Sequence, residues 1–176
     1  MSFIKNKKES KLIEGLIEVE LEPFRDNRGD IWTLYDQDDW SLEFVEDKIS
    51  ISKKNVLRGL HGDSLVCKLI GCLNGSLFLA VADARKSSST YGNVQTFVLD
   101  EKIPKSILVP AGCLNGHLSL SKQCVFWYKW SSHYDGPENQ TTVKWNDEDL
   151  NIDWPCKEPI LSERDKNGVL FKGIEL

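Results

Sequence analysis

Short runs of alternating or continuously apolar residues recur along the chain, and turn residues separate them. The runs that read as strands are Leu16–Leu21, Gly29–Tyr35, Phe44–Ile51, Val56–His61, Cys67–Leu73, Ser76–Ala82, Val94–Leu99, Ser106–Val109 and Val125–Trp130, with Thr141–Trp145 as a further candidate. Asn74-Gly75 predicts a two-residue hairpin with positive φ. Helix is expected only in short pieces, for example near Ile160–Lys166, where Ser162 could cap. This pattern predicts an all-β antiparallel sandwich or barrel.

Length and charge narrow the class of protein. A chain of 176 residues is expected to form one domain, residues 1–176. The net charge of −5 argues against a nucleic-acid or membrane-surface partner, because such partners require a dense basic surface. No apolar run is long enough to span a bilayer, and the lysine-rich start does not read as a signal peptide. The five cysteines form no C-x-x-C pair, which predicts free thiols in a reducing cytoplasm.

The first candidate chemistry lies in the run Val56–His61. Arg58 and His61 are three residues apart, so on a regular strand their side chains point to opposite faces. They share a pocket only if Gly59 distorts the strand. In that case a general base and an anion-binding cation would meet beside one cavity, as chemistry on a phosphorylated small molecule requires. The alternative is a buried structural histidine and a surface arginine.

Several segments spread along the chain form a series of short motifs. They are Phe24–Gly29 (F-x-D-x-R-G), Val56–His61 (V-L-R-G-L-H), Lys68–Ile70, Asp83–Arg85 with Ser88 and Thr90–Gly92, Val109–Gly112, Tyr128-Lys129, Tyr134, Pro137-Glu138, Trp145–Asp147, Trp154-Pro155 and Ser162–Asp165. Together they resemble the dTDP-4-dehydrorhamnose 3,5-epimerase family, a branch of the cupin barrels. The resemblance covers the chain from about Phe24 to Asp165.

The resemblance implies a double-stranded β-helix (jelly-roll, cupin-like) barrel with short helices, in a homodimer that shares N-terminal strands. It implies epimerisation of a nucleotide-diphospho-4-keto sugar without a cofactor or metal. Metal-binding cupins use an H-x-H pair, a carboxylate and a distant histidine. Here His61 has no histidine two residues away, and Asn115 stands where the second-motif histidine is expected. His117 and His133 do not restore a ligand triad.

By the same resemblance, His61 matches the base and Asp165 the acid that orients it, while helix capping is the structural alternative for Asp165. Lys68 matches the cation near the ketone oxygen. Asp83, in a similar apolar strand, is its expected counter-charge, or else the two form a purely structural buried pair.

Tyr128 matches the acid on the opposite face of the sugar ring. Tyr134 is the second candidate for this role, but we expect it to line the pocket instead. The alternative for Tyr128 is core packing. Arg58 and Arg28 match the arginines that bind pyrophosphate. The alternative for Arg28, which lies in a turn, is a solvated surface charge.

The chain departs from the family pattern around ligand recognition. Glu46-Asp47-Lys48 replaces the usual Q-x-N, and Leu114–His117 replaces the usual A-H-G-F. Thr33 stands where the family has a glutamate, and Gly62-Asp63 replaces the usual Y-Q after His61. Glu46, Lys48 and Asn115 are therefore candidate substrate-binding residues. We expect retained proton transfer on a changed substrate, for example with GDP in place of dTDP or a heptose in place of a hexose, in surface-polysaccharide biosynthesis.

The sequence leaves three readings open. The first is an epimerase that inverts C3 and C5, or C3 alone. The second is a 3,4-ketoisomerase of a nucleotide sugar. The third is a non-catalytic barrel that binds sugar nucleotides.

Overall fold

Two antiparallel β-sheets face each other in the computed structural model, which describes residues 3–176. The first sheet has the strand order β1-β2-β10-β7-β12-β5, and the second has the order β13-β6-β11-β8-β9. The strands are β1 (Ile4–Glu9), β2 (Ile17–Leu21), β3 (Phe24–Asp26), β4 (Gly29–Ile31), β5 (Glu46–Lys53), β6 (Leu57–Gly62), β7 (Lys68–Asn74), β8 (Ser76–Asp83), β9 (Val94–Asp100), β10 (Lys105–Val109), β11 (Cys113–Ser119), β12 (Gln123–Trp130) and β13 (Thr141–Thr142). Strands β3 and β4 form a separate hairpin. The all-β jelly-roll prediction is therefore confirmed.

Alternating side chains on β8 show how the sheets are covered. Leu77, Leu79 and Val81 point into the core between the two sheets, whereas Ala80 and Ala82 point to the outer face. Residues of the C-terminal segment, including Trp154 and Phe171, pack on that outer face. Both faces of β8 are therefore buried, which fixes the register of this strand.

Three strands escaped the sequence analysis. All residues of β1 except Ile4 are exposed and most are charged, and β3 is exposed throughout, so neither shows an apolar pattern. Strand β11 contains Asn115, Gly116 and His117, which interrupt its apolar run.

Two predicted strands are also shorter than expected: β4 ends at Ile31 and β13 at Thr142. Beyond Ile31 the chain crosses the outer face of the first sheet, where Leu34 and Tyr35 pack near Phe44.

The predicted hairpin at Asn74-Gly75 is wrong. Gly75 has φ +76, but β7 pairs with β10 and β12, while β8 pairs with β11 and β9. The turn therefore carries the chain from one sheet to the other. Both strands are almost fully buried, so each needs neighbours on both sides, and these come from distant parts of the sequence.

The helical prediction is confirmed in α1 (Glu163–Lys166), where the Ser162 side chain accepts a hydrogen bond from the Asp165 N–H. Two short 3-10 helices lie at Gln37–Asp39 and Pro137–Asn139. Within residues 3–176, no helix has the length and apolar character needed to cross a membrane. All five cysteines are free, as predicted.

Candidate active site

A cavity of about 390 Å³ opens between the two sheets. Both sheets and the segment around α1 contribute side chains to it. The lining residues are Lys48, Ser50, Arg58, His61, Lys68, Asn115, His117, Phe126, Tyr128, Trp130, Tyr134, Gln140, Ser162, Arg164 and Asp165. The cavity thus gathers charged and aromatic residues from seven separate segments of the sequence.

A bulge in β6 brings Arg58 and His61 into this cavity. Opposite β11, His61 pairs with Asn115 and Arg58 pairs with His117, so β6 contains one residue more than β11 over this stretch. The extra residue changes the side-chain alternation. Gly59 lies inside the bulge with φ +131, a backbone conformation that side chains disfavour. The distortion at Gly59 that a shared pocket requires is therefore present, and both side chains line one pocket.

His61 and Asp165 form a hydrogen-bonded pair. His61 Nε2 lies 2.6 Å from Asp165 Oδ1, and Ser162 Oγ donates to Asp165 Oδ2 at 2.8 Å. The Asp165 side chain is buried, which opposes its ionisation, but the hydrogen bonds from His61 and Ser162 outweigh burial and lower its pKa. A carboxylate bonded to Nε2 leaves Nδ1 of His61 as the nitrogen that can accept a proton.

Lys68 is buried in the cavity wall without a carboxylate partner among the described residues. Its Nζ donates to Asn115 Oδ1 at 3.0 Å and to the His61 carbonyl oxygen at 3.5 Å, and it lies 5.2 Å from the centre of the Trp130 ring. Burial lowers the Lys68 pKa to about 8. A desolvated cation of this kind interacts strongly with negative charge that develops beside it.

The expected pairing of Asp83 with Lys68 is wrong. Asp83 Oδ1 accepts from Arg85 Nε at 2.8 Å, and Asp83 Oδ2 accepts from Ser88 and Thr90 hydroxyls at 2.8 and 2.6 Å. Burial of Asp83 opposes its ionisation, but these hydrogen bonds prevail and lower its pKa to about 2. Asp83 therefore anchors the loop after β8, and it is absent from the cavity lining.

Tyr128 faces His61 across the cavity, because β12 and β6 belong to opposite sheets. It lies in a row of aromatic rings that also contains Phe126 and Trp130, at centroid distances of 4.9 and 5.8 Å. Burial raises the pKa of Tyr128, although the nearby Arg58 charge opposes this effect. The phenol is therefore protonated at neutral pH and can donate a proton.

Charged residues also gather at the cavity margin. Arg58 Nε donates to Ser52 Oγ at 3.1 Å, which leaves the terminal guanidinium nitrogens for a ligand. Lys48 forms an ion pair with Glu46 and lies 4.8 Å from the centre of the Tyr134 ring. Glu46 also accepts from the Tyr134 N–H at 2.8 Å. Glu46, Lys48 and Tyr134 thus form one connected group.

Arg28 does not reach the cavity of its own chain. It lies in the turn of the β3–β4 hairpin, where Nη2 is 2.7 Å from Asp26 Oδ2. The side chain of Arg28 is 82% exposed. Phe24 and Ile31, paired across the same hairpin, are 64% and 70% exposed.

Several lining residues were not predicted as site residues: Ser50, His117, Phe126, Trp130, Gln140, Ser162 and Arg164. The period of two supplies a usable signal for some of them, since Phe126 and Trp130 share a strand face with Tyr128, and Ser50 shares one with Lys48. Arg164 directly precedes Asp165, but the fold is needed to show that both side chains reach the cavity.

Across the described residues, no group of three or more histidine, cysteine, aspartate and glutamate side chains is arranged to hold a metal ion. The cavity combines a His–Asp pair, a buried lysine, a facing tyrosine and an arginine. These groups suit proton abstraction beside a carbonyl in an anionic substrate. Fold and site together define a cupin-type barrel with an acid–base cavity.

Comparisons with known proteins identify the family. Residues 10–173 match the family described as dTDP-4-dehydrorhamnose 3,5-epimerase, and the chain belongs to it. The enzyme of that name from Methanothermobacter thermautotrophicus is 33% identical over 165 residues, which cover 88% of this chain and 89% of the relative. The enzyme from Salmonella typhimurium is 34% identical over 163 residues, with 87% and 88% coverage. The chain is therefore an isomerase of the carbohydrate-epimerase class.

Solved structures agree with this assignment. A Legionella pneumophila 3,5-epimerase in complex with dTDP-4-keto-L-rhamnose has a TM-score of 0.90 and 30% identity, covering 97% of this chain and 94% of its own. A 4-keto-6-deoxy sugar epimerase from Streptomyces spheroides also has a TM-score of 0.90, with 28% identity and coverage of 97% and 89%.

Proposed function

We propose that this enzyme epimerises a nucleotide-diphospho-4-keto sugar at C3 and C5, with His61 as the base and Tyr128 as the acid. The observation that carries the proposal is the pairing of His61 with Asp165 in a cavity that also contains Lys68 and Tyr128. The names of the relatives support the reaction, and the complex of the Legionella protein supports the class of ligand. The non-catalytic alternative leaves the His61–Asp165 pair without a role.

The proposed step conserves atoms and electrons. Nδ1 of His61 takes a proton from the carbon next to the ketone, and the C–H electron pair moves to the ketone oxygen as an enolate. Lys68 stabilises that oxygen, and Asp165 stabilises the imidazolium. Tyr128 then delivers its proton to the opposite face of the same carbon. His61 and Tyr128 return to their starting states by exchanging protons with solvent, and inversion at the second carbon repeats the cycle.

Inversion at C3 alone is a second candidate, because one relative carries a single-centre name. The dTDP-4-dehydrorhamnose 3-epimerase of Streptomyces niveus is 30% identical over 168 residues, which cover 90% of this chain and 81% of the relative. Deuterium incorporation distinguishes the two outcomes. Turnover in D₂O adds two deuterium atoms when both centres exchange and one when a single centre exchanges.

The nucleotide and the sugar length belong to the same proposal. Glu46 and Lys48 replace the usual amide side chains and lie next to Tyr134, which supports a changed substrate such as a GDP-linked heptose in surface-polysaccharide biosynthesis. The test offers dTDP- and GDP-linked 4-keto hexoses and heptoses in D₂O and measures the mass of each recovered sugar nucleotide. Absence of incorporation with every substrate, despite measurable binding, would overturn the proposal in favour of the non-catalytic barrel.

Single substitutions test which residue acts as the base and which as the acid. His61→Asn is expected to lower exchange by about 10²-fold or more, since it removes the base. Tyr128→Phe is expected to permit exchange while losing inversion, because the proton then returns from the His61 side. His133→Asn is the matched control at saturating substrate, since the His133 side chain is 80% exposed and lies near Glu46 but outside the cavity lining. Equal losses in His61→Asn and His133→Asn would contradict the assignment of His61.

We further propose that the enzyme is a homodimer in which the β3–β4 hairpin of one chain reaches the cavity of the other, where Arg28 binds diphosphate. Exposed Phe24 and Ile31 support this arrangement, because they leave an apolar surface uncovered on the single chain. Strand β5 ends the first sheet and carries Ile49 and Ile51, each 60% exposed, which adds a second uncovered apolar surface.

A further inference from the structure

Unpaired polar atoms concentrate at the cavity. Among the described residues, four buried side-chain polar atoms have no hydrogen-bond partner: Ser50 Oγ, Ser106 Oγ, His117 Nε2 and Trp130 Nε1. All except Ser106 belong to side chains that line the cavity. Buried polar groups are generally paired, because an unpaired one has lost its hydrogen bonds to water without replacement. Their concentration indicates that a bound molecule supplies the missing partners.

Ser50 and His117 lie at the same end of the cavity. Ser50 is paired with Phe126 across β5 and β12, and the His117 ring stacks on Phe126 with centroids 3.9 Å apart. His117 is also paired with Arg58 across β11 and β6. Trp130 lies at the other end, beside Lys68. The orphaned Ser50 and His117 atoms are therefore neighbours of Arg58.

The chemistry of this end suits a neutral hydroxyl group. Burial, helped by the nearby charge of Arg58, lowers the His117 pKa to about 3, so the ring is uncharged at neutral pH. A neutral imidazole nitrogen and a serine hydroxyl can each donate or accept a hydrogen bond, depending on tautomer and rotation. A sugar hydroxyl, which also does both, can satisfy either atom.

The order of side chains along the cavity matches the order of groups on the proposed substrate. Arg58 and His117 form one pair across β6 and β11, His61 and Asn115 form the next, and Asn115 accepts from Lys68. In a nucleotide 4-keto sugar, C1 carries the diphosphate, C2 a hydroxyl, C3 the acidic hydrogen and C4 the ketone. Diphosphate at Arg58 and ketone at Lys68 place C3 near His61 and C2 near His117.

We infer that Ser50 and His117 form a specificity-determining subsite for the C2 hydroxyl of the sugar. The inference rests on the proposed function, which assigns Arg58 to the diphosphate and Lys68 to the ketone. Both orphaned atoms are covered by protein atoms, so the contact requires a side-chain rotation as the sugar enters. His117 also stands where the family pattern described above has phenylalanine, so the chain has gained a hydrogen-bonding group at this point.

The test compares substrates with and without the C2 hydroxyl. We would measure kcat/KM for dTDP- and GDP-linked 4-keto-6-deoxyhexoses and their 2-deoxy analogues, using wild type, His117→Phe and Ser50→Ala. Wild type is expected to prefer the 2-hydroxy substrate by about 10- to 100-fold, because the analogue leaves buried polar groups unpaired. Each substitution is expected to reduce that preference to a few-fold by slowing the 2-hydroxy substrate alone.

Ser106→Ala is the matched control, since Ser106 is also buried and unpaired but is absent from the cavity lining. It is expected to leave both substrates unaffected. Equal losses on the two substrates in His117→Phe and Ser50→Ala would overturn the inference and indicate a structural role or a bound water. Equal use of both substrates by wild type would overturn it as well.

Binding measurements distinguish failure of the hydroxyl-subsite inference from failure of the proposed function. The corresponding nucleotide hexoses without the ketone, with and without the C2 hydroxyl, bind without reaction. Their dissociation constants measure the preference even when no deuterium exchange occurs. Absent exchange with a retained preference would refute the epimerase proposal and keep the hydroxyl subsite, whereas exchange without a preference would do the reverse.

Discussion

Asp165 is a buried carboxylate that orients the proposed base, so its charge can be removed with little change in shape. Asp165→Asn is expected to lower kcat by about 10²- to 10⁴-fold, because the amide does not stabilise the imidazolium form of His61. Glu163→Gln on the same helix is the control, since the Glu163 side chain is 82% exposed. Single-turnover kinetics in D₂O, with circular dichroism as a check on folding, would measure both. An active Asp165→Asn enzyme would exclude the dyad.

The same carboxylate links stability to pH. The pKa of Asp165 is lowered in the folded state because hydrogen bonds from His61 and Ser162 outweigh the effect of burial. Its stabilising contribution is thus fully present above the unfolded pKa of about 3.9 and is lost as the pH falls through the lower folded value. Urea titrations from pH 6 to pH 3 should therefore show the difference between wild type and Asp165→Asn narrowing below about pH 4. A constant difference would show that the carboxylate charge contributes no stability.

We expect Lys68 to set an alkaline limit on the proposed reaction. Its pKa is lowered to about 8, so the amine loses its charge near that pH and can no longer stabilise an enolate. We expect kcat/KM to decline above about pH 8 in wild type. In Lys68→Arg this decline should disappear, since a guanidinium remains charged in that range. A pH–rate profile tests this, and an identical alkaline decline in both enzymes would assign it to another group.

The pairing of Lys68 shows where residue-level prediction fails. A buried lysine in an apolar strand requires a partner, and the sequence offered Asp83 from a similar strand. In the fold, Asp83 accepts a hydrogen bond from Arg85, only two residues away. Lys68 donates instead to the amide oxygen of Asn115. Periodicity shows which face a side chain occupies but does not identify the strand that lies beside it.

At the scale of elements, the bulge in β6 determines whether the site forms. A Cβ on Gly59 would lie 2.4 Å from Gly116 Cα and 2.9 Å from the Asn115 carbonyl oxygen, and both are backbone atoms that cannot move aside alone. Gly59→Ala is therefore expected to destabilise the protein by about 3 kcal/mol or more, from backbone strain plus the collision. Denaturant titration would measure the loss.

Gly173→Ala is the matched control for this change. Gly173 also has a positive φ, +89, but a Cβ there meets nothing within 4 Å. Its substitution should cost only the strain of the backbone conformation, about 1–3 kcal/mol. Equal losses at the two glycines would show that the close approach of β6 to β11 is unimportant.

Strands were predictable where one face is apolar and the other is not, as in β2, where Ile17, Val19 and Leu21 alternate with glutamates, and where the apolar run is nearly continuous, as in β12. The sequence identified Gly59 as the place where a bulge would have to lie if Arg58 and His61 shared a pocket, but it left open whether the bulge forms. Strand β11 was missed because Asn115 and His117 face the cavity. Polar residues that line the cavity interrupt the apolar pattern, so β11 gave only a weak signal although most of its residues are buried.

At the scale of the whole molecule, the sandwich followed from the frequency of strands, but the partners of each strand did not. The turn at Asn74-Gly75 has the composition of a hairpin, yet it connects the two sheets. Whether this turn closes a hairpin depends on which strands from residues 94–130 pair with β7 and β8. Such long-range pairings are set by burial of both sheets together and have no local sequence signal.

The proposed exchange of hairpins between chains makes the dimer part of the active site. If Arg28 serves the partner's cavity, Arg28→Gln and His61→Asn are each inactive alone but complement each other. A mixed dimer then contains one site with both residues intact and one site with neither. Random association makes half of the dimers mixed, so coexpression of equal amounts should restore about a quarter of wild-type activity. Restoration after exchange of subunits would demonstrate a shared site, whereas a coexpressed pair without activity would place Arg28 outside the partner's cavity.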